Sequence, residues 1–155
     1  MFTSLASIDL SYNSFATTIS DLLCNLSSLV RLDLSGNMLS GPIPTSLGLL
    51  SRLEDLYLHL NQLTGYIPMS IGQLSKLKDL DLHNNLLVGV LSETHFAKLK
   101  NLYYLDLSWT SLALNISSQR IAPFHLQILF AKSCNIVTPR ISTCHRWARW
   151  GSIVT

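Results

Sequence analysis

The sequence predicts an α/β-type solenoid, a fold in which similar coils stack along one axis. Leucines recur at a fixed spacing, because Leu29, Leu53 and Leu77 lie 24 residues apart and open similar phrases. The two fullest copies read LVRLDLSGNMLSGPIPTSLGLLSR and LEDLYLHLNQLTGYIPMSIGQLSK. Self-similarity with a period of about 20–50 residues is typical of repeat architectures, in which each unit packs on its neighbours. We therefore expect an extended curved surface and no catalytic pocket.

The repeats are expected to form one solenoid over residues 5–138, followed by a tail over residues 139–155. A chain of 155 residues suits a single domain. The tail has no periodic leucines that would point into the core. We therefore expect it to be disordered or to come from a change of reading frame or splicing. Coils 1 to 6 begin, in order, at Leu5, Leu29, Leu53, Leu77, Leu102 and Leu126.

Each coil opens with the phrase LxxLxLxxN, which contains the two-residue period of a β-strand. In coil 2 the leucines of this phrase are expected to point into the core, whereas Asp33 and Ser35 are expected to face outward. Stacked coils then form a parallel sheet on the concave side. The Gly-Pro phrase of residues 40–44 follows, and it predicts an irregular or 3₁₀-helical convex side.

The asparagine that closes the phrase is predicted to have a structural role. A buried side-chain amide can bond backbone groups that a turning chain leaves unpaired. Thr110 and Cys134 take this position in coils 5 and 6, where we expect bonding capacity to be lost. The predicted ladder consists of Asn13, Asn37, Asn61 and Asn85.

Composition and motifs exclude several functional classes. A net charge of +2 is too small to indicate a nucleic-acid partner. No GxSxG, glycine-rich phosphate loop or HExxH occurs, so we predict no enzyme and no cofactor. His59 and His83 are expected to lie on a flat, exposed face beside Asp55 or Asp79, and therefore no metal site is predicted. A bridge between Cys134 and Cys144 is left open.

Candidate ligand contacts are the aromatic and histidine side chains of the concave strands in coils 3 to 5. Exposed aromatics on such a face are typical binding anchors. Carboxylates in the middle coils are expected to raise the pKa of the two histidines. The alternative is a solvated face with tolerated aromatics. The candidates are Tyr57, His59, His83, Tyr103, Tyr104 and Trp109.

Two glycosylation sequons occur, Asn25-Leu26-Ser27 and Asn115-Ile116-Ser117. Both are expected to carry a glycan if the chain enters the secretory pathway. The alternative is chance, because Asn, Leu and Ser are abundant in this repeat.

The stretch LDLSGNMLSGPIPTSLGLLSRL closely resembles the plant-specific leucine-rich repeat, whose consensus carries LxGxIP after the asparagine. Residues 92–136 are similar to the late ectodomain of plant receptor-like proteins, which show an HF…LDLS coil followed by PPFQL…SCN. The matching residues are His95, Phe96, Leu105, Asp106, Leu107, Pro123, Phe124, Leu126, Ser133, Cys134 and Asn135.

This resemblance implies a cell-surface recognition module on the extracellular face of the plasma membrane. Family members bind extracellular peptide, protein or glycan ligands, lack a kinase of their own and signal through partner receptor kinases, in defence or development. The sequence shows neither a signal peptide nor an apolar run of about 18 residues, so we expect an internal or truncated part of such an ectodomain. The alternatives are a secreted cell-wall enzyme-inhibitor-like repeat protein and a non-functional fragment. The HF…SCN signature favours the receptor-like protein.

Overall fold

The chain forms a solenoid whose coils are joined by two parallel β-sheets. A computed structural model describes residues 4–20, 23–115, 126–136 and 153–154. The first sheet has seven strands in the order β1-β2-β4-β6-β8-β10-β12, numbered along the chain. Its strands are β1 (Ser7–Asp9), β2 (Arg31–Asp33), β4 (Asp55–Tyr57), β6 (Asp79–Asp81), β8 (Tyr104–Asp106), β10 (Ile128–Phe130) and β12 (Ile153–Val154). The predicted parallel sheet on the concave face is thus confirmed.

The register of this sheet follows the repeat. Arg31 pairs with Asp55, Asp55 with Asp79, and Asp79 with Tyr104. Each residue thus pairs with the equivalent residue of the next coil. Coil 4 carries one residue more than coils 2 and 3. It also has an α-helix, α1 (Glu93–Phe96), where those coils have the 3₁₀ helices Thr45–Leu49 and Met69–Gln73. A further 3₁₀ helix spans Leu23–Asn25.

A second parallel sheet runs along the solenoid, in the order β11-β9-β7-β5-β3. The predicted 3₁₀ helices follow the Gly-Pro phrase, at Thr45–Leu49 and Met69–Gln73, but residues 40–42 within the phrase form a strand that was not predicted. Pro42 is tolerated because β3 is an edge strand of this sheet, where a missing backbone N–H costs least. The strands are β3 (Ser40–Pro42), β5 (Gln62–Gly65), β7 (Leu86–Ser92), β9 (Ser111–Asn115) and β11 (Asn135–Ile136).

The core is a single hydrophobic cluster that consists mainly of leucines. Leu29, Leu53 and Leu77 are all 0% exposed and occupy equivalent inward sites, as predicted. Burial of each such side chain contributes about 1.5–3 kcal/mol, so the stack of coils is held by its interior. Leu5, the equivalent residue of coil 1, is 36% exposed.

The outward positions of coil 2 are less exposed than expected. Asp33 and Ser35 were predicted to face outward, yet they retain only 8% and 1% exposure. Ser35 donates its backbone N–H and its hydroxyl to Asp33 Oδ1 at 3.1 and 2.6 Å. Arg31 Nη2 also donates to Asp33 Oδ2 at 3.2 Å. A polar pair can be buried there because its hydrogen bonds are internally satisfied.

The asparagines of coils 2 to 4 are buried and bond two coils at once. Asn61 Nδ2 donates to the carbonyl oxygens of Leu58 in its own coil and Leu34 in the preceding coil, at 3.1 and 3.0 Å. Its Oδ1 accepts the backbone N–H of Leu39 at 3.0 Å. Asn13, in contrast, is exposed, and its amide donates only within coil 1.

Thr110 and Cys134 retain part of this bonding, contrary to expectation. The Thr110 hydroxyl donates to Leu107 O of its own coil at 2.6 Å. Cys134 Sγ reaches the same carbonyl, in the preceding coil, at 2.9 Å. Each small donor therefore keeps one of the asparagine's two kinds of carbonyl bond: Thr110 keeps the bond within its own coil, and Cys134 keeps the bond to the preceding coil. Cys144 lies outside the described residues, so the pairing of these two cysteines stays a prediction.

The residue before each ladder position has a left-handed backbone. Gly36 adopts φ 63°, and side-chain-bearing residues take the same conformation in the other coils. This conformation costs most L-residues about 1–2 kcal/mol. The cost is smaller for Asn, and Gly adopts the conformation readily because it has no Cβ. It turns each coil away from the concave sheet and recurs at Tyr12, Leu60, Asn84, Trp109 and Ser133.

Residues 139–155 were expected to lie outside the solenoid. Within that tail the structure describes only Ile153–Val154, which pair in parallel with Leu129 and Phe130 of β10. The remainder of the tail lies outside the described residues.

Candidate functional site

The candidate site is a shallow groove on the concave sheet, formed where strands β2, β4, β6 and β8 lie side by side. Its volume is about 290 Å³. Alternate residues of each strand point to the same face, so side chains from four coils meet there. The groove is lined by Arg31, Asp33, Tyr57, His59, Asp79, Asp81 and Tyr104.

Tyr57 lies at the centre of the groove and is half-buried. Its hydroxyl donates to Asp79 Oδ2 at 3.1 Å, and the guanidinium carbon of Arg31 lies 4.6 Å from the ring centre. Burial, with the Asp79 and Asp55 carboxylates second, raises the pKa of Tyr57 to about 12. The phenol therefore stays protonated and serves as a hydrogen-bond donor with a cation over its face.

Carboxylates outnumber cations in the groove. Arg31 bridges Asp33 at 3.2 Å and Asp55 at 3.9 Å. Burial, followed by the charge of Asp79, raises the pKa of Asp55. One guanidinium cannot neutralise this row, so the surface favours positively charged groups.

His59 and His83 stack in the adjoining part of the face. Their ring centres are 4.5 Å apart with an angle of 12° between the planes. Asp81 lies against both rings: its Oδ1 is 2.7 Å from His83 Nδ1, and its Oδ2 is 3.3 Å from His59 Nδ1. The carboxylate that contacts both rings is therefore Asp81, and not Asp55 or Asp79 as considered from the sequence; Asp106 Oδ2 lies 3.7 Å from His83 Nδ1 as well. The side chains of His59 and His83 are only 16% and 27% exposed, so the pair is less open than expected.

The expectation that carboxylates raise the histidine pKa values was wrong for His59. Burial lowers the pKa of His59 and outweighs the opposing charge of Asp81. Desolvation disfavours the charged imidazolium, and the sequence alone did not show how far Tyr57 and His83 cover this ring. The imidazole of His59 is consequently harder to protonate than an exposed histidine.

The aromatic residues of coil 5 divide into two groups. Tyr104 lines the groove, packs 5.8 Å from the Phe130 ring and donates to Asp106 Oδ2 at 3.4 Å. Burial raises its pKa, with nearby carboxylates contributing. Tyr103 and Trp109 are 43% and 57% exposed and do not line the groove. The structure thus brings Tyr57, His59 and Tyr104 together and leaves Tyr103 and Trp109 beside them.

The lining residues outside the predicted ligand contacts are Arg31, Asp33, Asp79 and Asp81. Their alignment in outward columns was visible in the sequence. The missing information was diagonal contact: Tyr57 meets Asp79, and His59 meets Asp81, each 22 residues later. Such diagonal neighbours lie within reach of long side chains on a sheet.

Both sequon asparagines are exposed. Asn25 is the last residue of a 3₁₀ helix, and Asn115 is the last residue of β9. Neither residue lies on the concave sheet, so a glycan there would leave the groove accessible. Within the ranges that the structure describes, no helix has the length and hydropathy needed to cross a bilayer.

Family comparisons agree with this architecture. The family described as "Leucine rich repeat" matches residues 51–112, and a second description with the same wording matches residues 4–26 and 28–50. Together these matches cover most of the described solenoid.

Relatives and solved structures come from plant receptors. The chain is 44% identical over 46 residues to Receptor-like protein EIX1 of Solanum lycopersicum, which is 30% of this chain and 4% of that protein. The LRR ectodomain of the receptor kinase SOBIR1 from Arabidopsis thaliana is 29% identical, with a TM-score of 0.76 over 86% of this chain and 73% of that one.

The Arabidopsis receptor kinase HAESA, in complex with the peptide hormone IDA and the co-receptor SERK1, is 26% identical. That match has a TM-score of 0.68 and covers 88% of this chain and 26% of HAESA. The chain therefore belongs to the leucine-rich repeat family, and its relatives support a plant receptor-like protein.

Proposed function

We propose that this chain is a non-enzymatic recognition module of a plant cell-surface receptor, and that its groove binds a positively charged segment of an extracellular peptide or protein. The observation that carries the proposal is the row of acidic side chains, only partly balanced by Arg31, that surrounds the half-buried ring of Tyr57. Such a groove offers an aromatic anchor and charge selectivity together.

The wider setting rests on resemblance. HAESA is seen with a peptide hormone and a co-receptor, and the chain shares its fold. We infer a location on the extracellular face of the plasma membrane, a partner receptor kinase and a role in defence or developmental signalling. The receptors reported above support this assignment over the secreted enzyme-inhibitor alternative.

A peptide selection tests the groove directly. The full chain is immobilised and used to select binders from a random-peptide library displayed on phage. Lysine- and arginine-rich sequences are expected among the binders, with affinities that fall as salt is raised, because salt screens surface charge. Selected peptides without cationic residues would contradict the proposal.

Variants then locate the contact. Tyr57→Ala and Tyr104→Ala are expected to weaken a selected peptide at least about tenfold, as truncation of buried aromatic anchors usually does. Tyr66→Ala is the matched control, because Tyr66 is 72% exposed and follows a strand of the second sheet. Trp109→Ala shows whether the ligand extends past the groove. Equal affinities for the groove and control variants would overturn the proposed site.

A further inference from the structure

The cluster formed by His59, Asp81 and His83 has donor chemistry that the recognition role does not use. Each residue offers one ligand atom, and these three atoms lie within 4.8 Å of one another. We propose that the three side chains bind a divalent transition-metal ion of the zinc type. His59 and Asp81 also line the groove, so the ion would lie at the edge of the groove. The proposal does not require a bound peptide.

The backbone fixes both histidines in register. Leu58 N–H donates to Asp81 O at 2.9 Å, and Leu60 N–H donates to His83 O at 3.0 Å. The two imidazoles consequently leave adjacent strands at equivalent points and stack 4.5 Å apart. A rigid sheet positions donors more precisely than a loop does, which favours binding over a chance cluster.

Asp81 is oriented between the rings. Its Oδ1 accepts the backbone N–H of His83 at 3.1 Å, which holds the carboxylate in place. One carboxylate oxygen then lies near each imidazole, at 2.7 Å from His83 Nδ1 and 3.3 Å from His59 Nδ1. The donor atoms of all three residues therefore lie close together on neighbouring coils, and the nearly parallel rings must turn for both nitrogens to point at one ion.

One donor of the set lacks a hydrogen bond. His59 Nδ1 is buried and has no hydrogen-bond partner, since its approach to Asp81 lacks hydrogen-bonding geometry. Leaving a buried polar atom unpaired costs about 1–3 kcal/mol. A metal ion at this nitrogen would satisfy it.

Comparison with the other coils shows that histidine is not needed here for folding. The equivalent position is serine in coils 1, 2 and 5, namely Ser11, Ser35 and Ser108. These serines donate to the aspartate two residues earlier, at 2.7 Å for Ser11 Oγ and 2.8 Å for Ser108 N. In coil 3 the aspartate itself is replaced by Tyr57, so His59 has no such partner. In coil 4, His83 keeps the pattern, because its backbone N–H and its Nδ1 both contact Asp81 Oδ1, at 3.1 and 2.7 Å. His59 is thus the histidine that departs from the pattern, and it places a second imidazole beside Asp81.

The donor set selects the metal. Two imidazoles and one carboxylate suit Zn²⁺, Co²⁺, Ni²⁺ or Cu²⁺, whereas Mg²⁺ and Ca²⁺ prefer all-oxygen sites. With metal–ligand distances of about 2.0–2.2 Å, a tetrahedral site places its donor atoms about 3.3–3.6 Å apart. The donor atoms here lie within 4.8 Å of one another, so binding requires the widest pair to move closer by rotation of a histidine ring. Three protein ligands leave a further position for water or a donor from a bound partner.

The test uses the full chain after chelation, titrated with ZnCl₂ in a calorimeter. The expected result is one Zn²⁺ per chain with micromolar affinity, and a rise in Tm with Zn²⁺ because the ion binds only the folded state. His59→Ser and His83→Ser restore the residue of the other coils, so they are expected to fold. Each should weaken Zn²⁺ binding at least about tenfold, because it removes a ligand. His95→Gln is the control, since it removes a half-buried histidine outside the cluster and should bind as the parent does.

A spectroscopic readout keeps the proposal falsifiable if a variant misfolds. Co²⁺ bound to the parent chain should give a visible spectrum without a thiolate charge-transfer band, and imidazole ¹⁵N shifts should move for two histidines. A thiolate band would place the ion on a cysteine and refute the site. No uptake by the parent chain, or uptake that His59→Ser and His83→Ser leave unchanged, would also refute it.

Discussion

The backbone N–H of Leu39 donates to Asn61 Oδ1 at 3.0 Å, and this bond joins coil 2 to coil 3. The same amide donates back to Leu34 O of coil 2 at 3.0 Å. Asn37, Asn61 and Asn85 therefore each bond the preceding coil in both directions, as donor and as acceptor. These bonds are buried, and leaving a buried donor or acceptor without a partner lowers the free energy of unfolding.

Asn61→Ala should lower the free energy of unfolding by about 2–4 kcal/mol, because it leaves Leu39 N–H and two carbonyls under-bonded in the interior. Urea denaturation followed by circular dichroism measures the change. Asn13→Ala is the matched control and should cost less than about 1 kcal/mol, since Asn13 is exposed. Equal losses for the two variants would show that the inter-coil bonds contribute little.

Asn84 tests the left-handed turn that ends each concave strand. Its φ is 53° and its side chain is exposed, so substitution changes backbone strain with little change in burial. Asn84→Leu should destabilise the chain by about 1 kcal/mol, because a bulky L-residue tolerates this region poorly. Asn84→Gly should be neutral or slightly stabilising in the same denaturation assay. An unchanged stability for Asn84→Leu would mean that the turn carries no appreciable strain.

Much of the fold follows from the period of the sequence. Leu29, Leu53 and Leu77 occupy equivalent buried sites because the same apolar pattern recurs at the length of one coil. The second sheet was missed because its strands are short and contain residues that usually interrupt strands. Gly41 and Gly65 both have φ 76°, a conformation that breaks the alternation by which strands are recognised.

The candidate site was predictable in position but not in detail. The columns of outward residues correctly placed His59 beside His83. They did not show that His59 contacts Asp81 diagonally, or that its ring is covered enough to lower its pKa. Both effects depend on side-chain direction across neighbouring coils, which spacing along one chain does not encode.

Gly48 lies where two coils stack closely on the side opposite the concave sheet. A Cβ at this position would collide with the Ser70 carbonyl oxygen of the next coil. Gly48→Ala should therefore separate the two 3₁₀ helices and cost about 1–3 kcal/mol, as overpacking against backbone does. The Tm measured by circular dichroism should fall accordingly. Leu49→Ala, at a 64% exposed neighbour in the same helix, should change the unfolding free energy by less than about 0.5 kcal/mol. A neutral Gly48→Ala would mean that the coils can move apart freely.

His95 links stability to pH through the start of α1. Burial lowers the pKa of His95 below its ordinary value of 6.5, in surroundings that include the apolar side chains of Val90 and Leu112. Its Nδ1 accepts the Ser92 N–H at 3.2 Å, which an unprotonated nitrogen alone can do. The unfolded chain therefore binds this proton more readily than the native chain does, so stability rises with pH. The contribution is fully present above pH 6.5 and is lost as pH falls through the lowered pKa.

His95→Gln isolates this effect, because glutamine at the same helix position can also accept from the residue that caps the helix but does not titrate. Denaturation midpoints measured from neutral to acidic pH should fall more steeply for the parent chain than for His95→Gln. Other titrating groups, including His59, are common to both proteins and cancel in the difference. Parallel pH profiles for the two proteins would show that His95 has the same proton affinity in the native and unfolded chains.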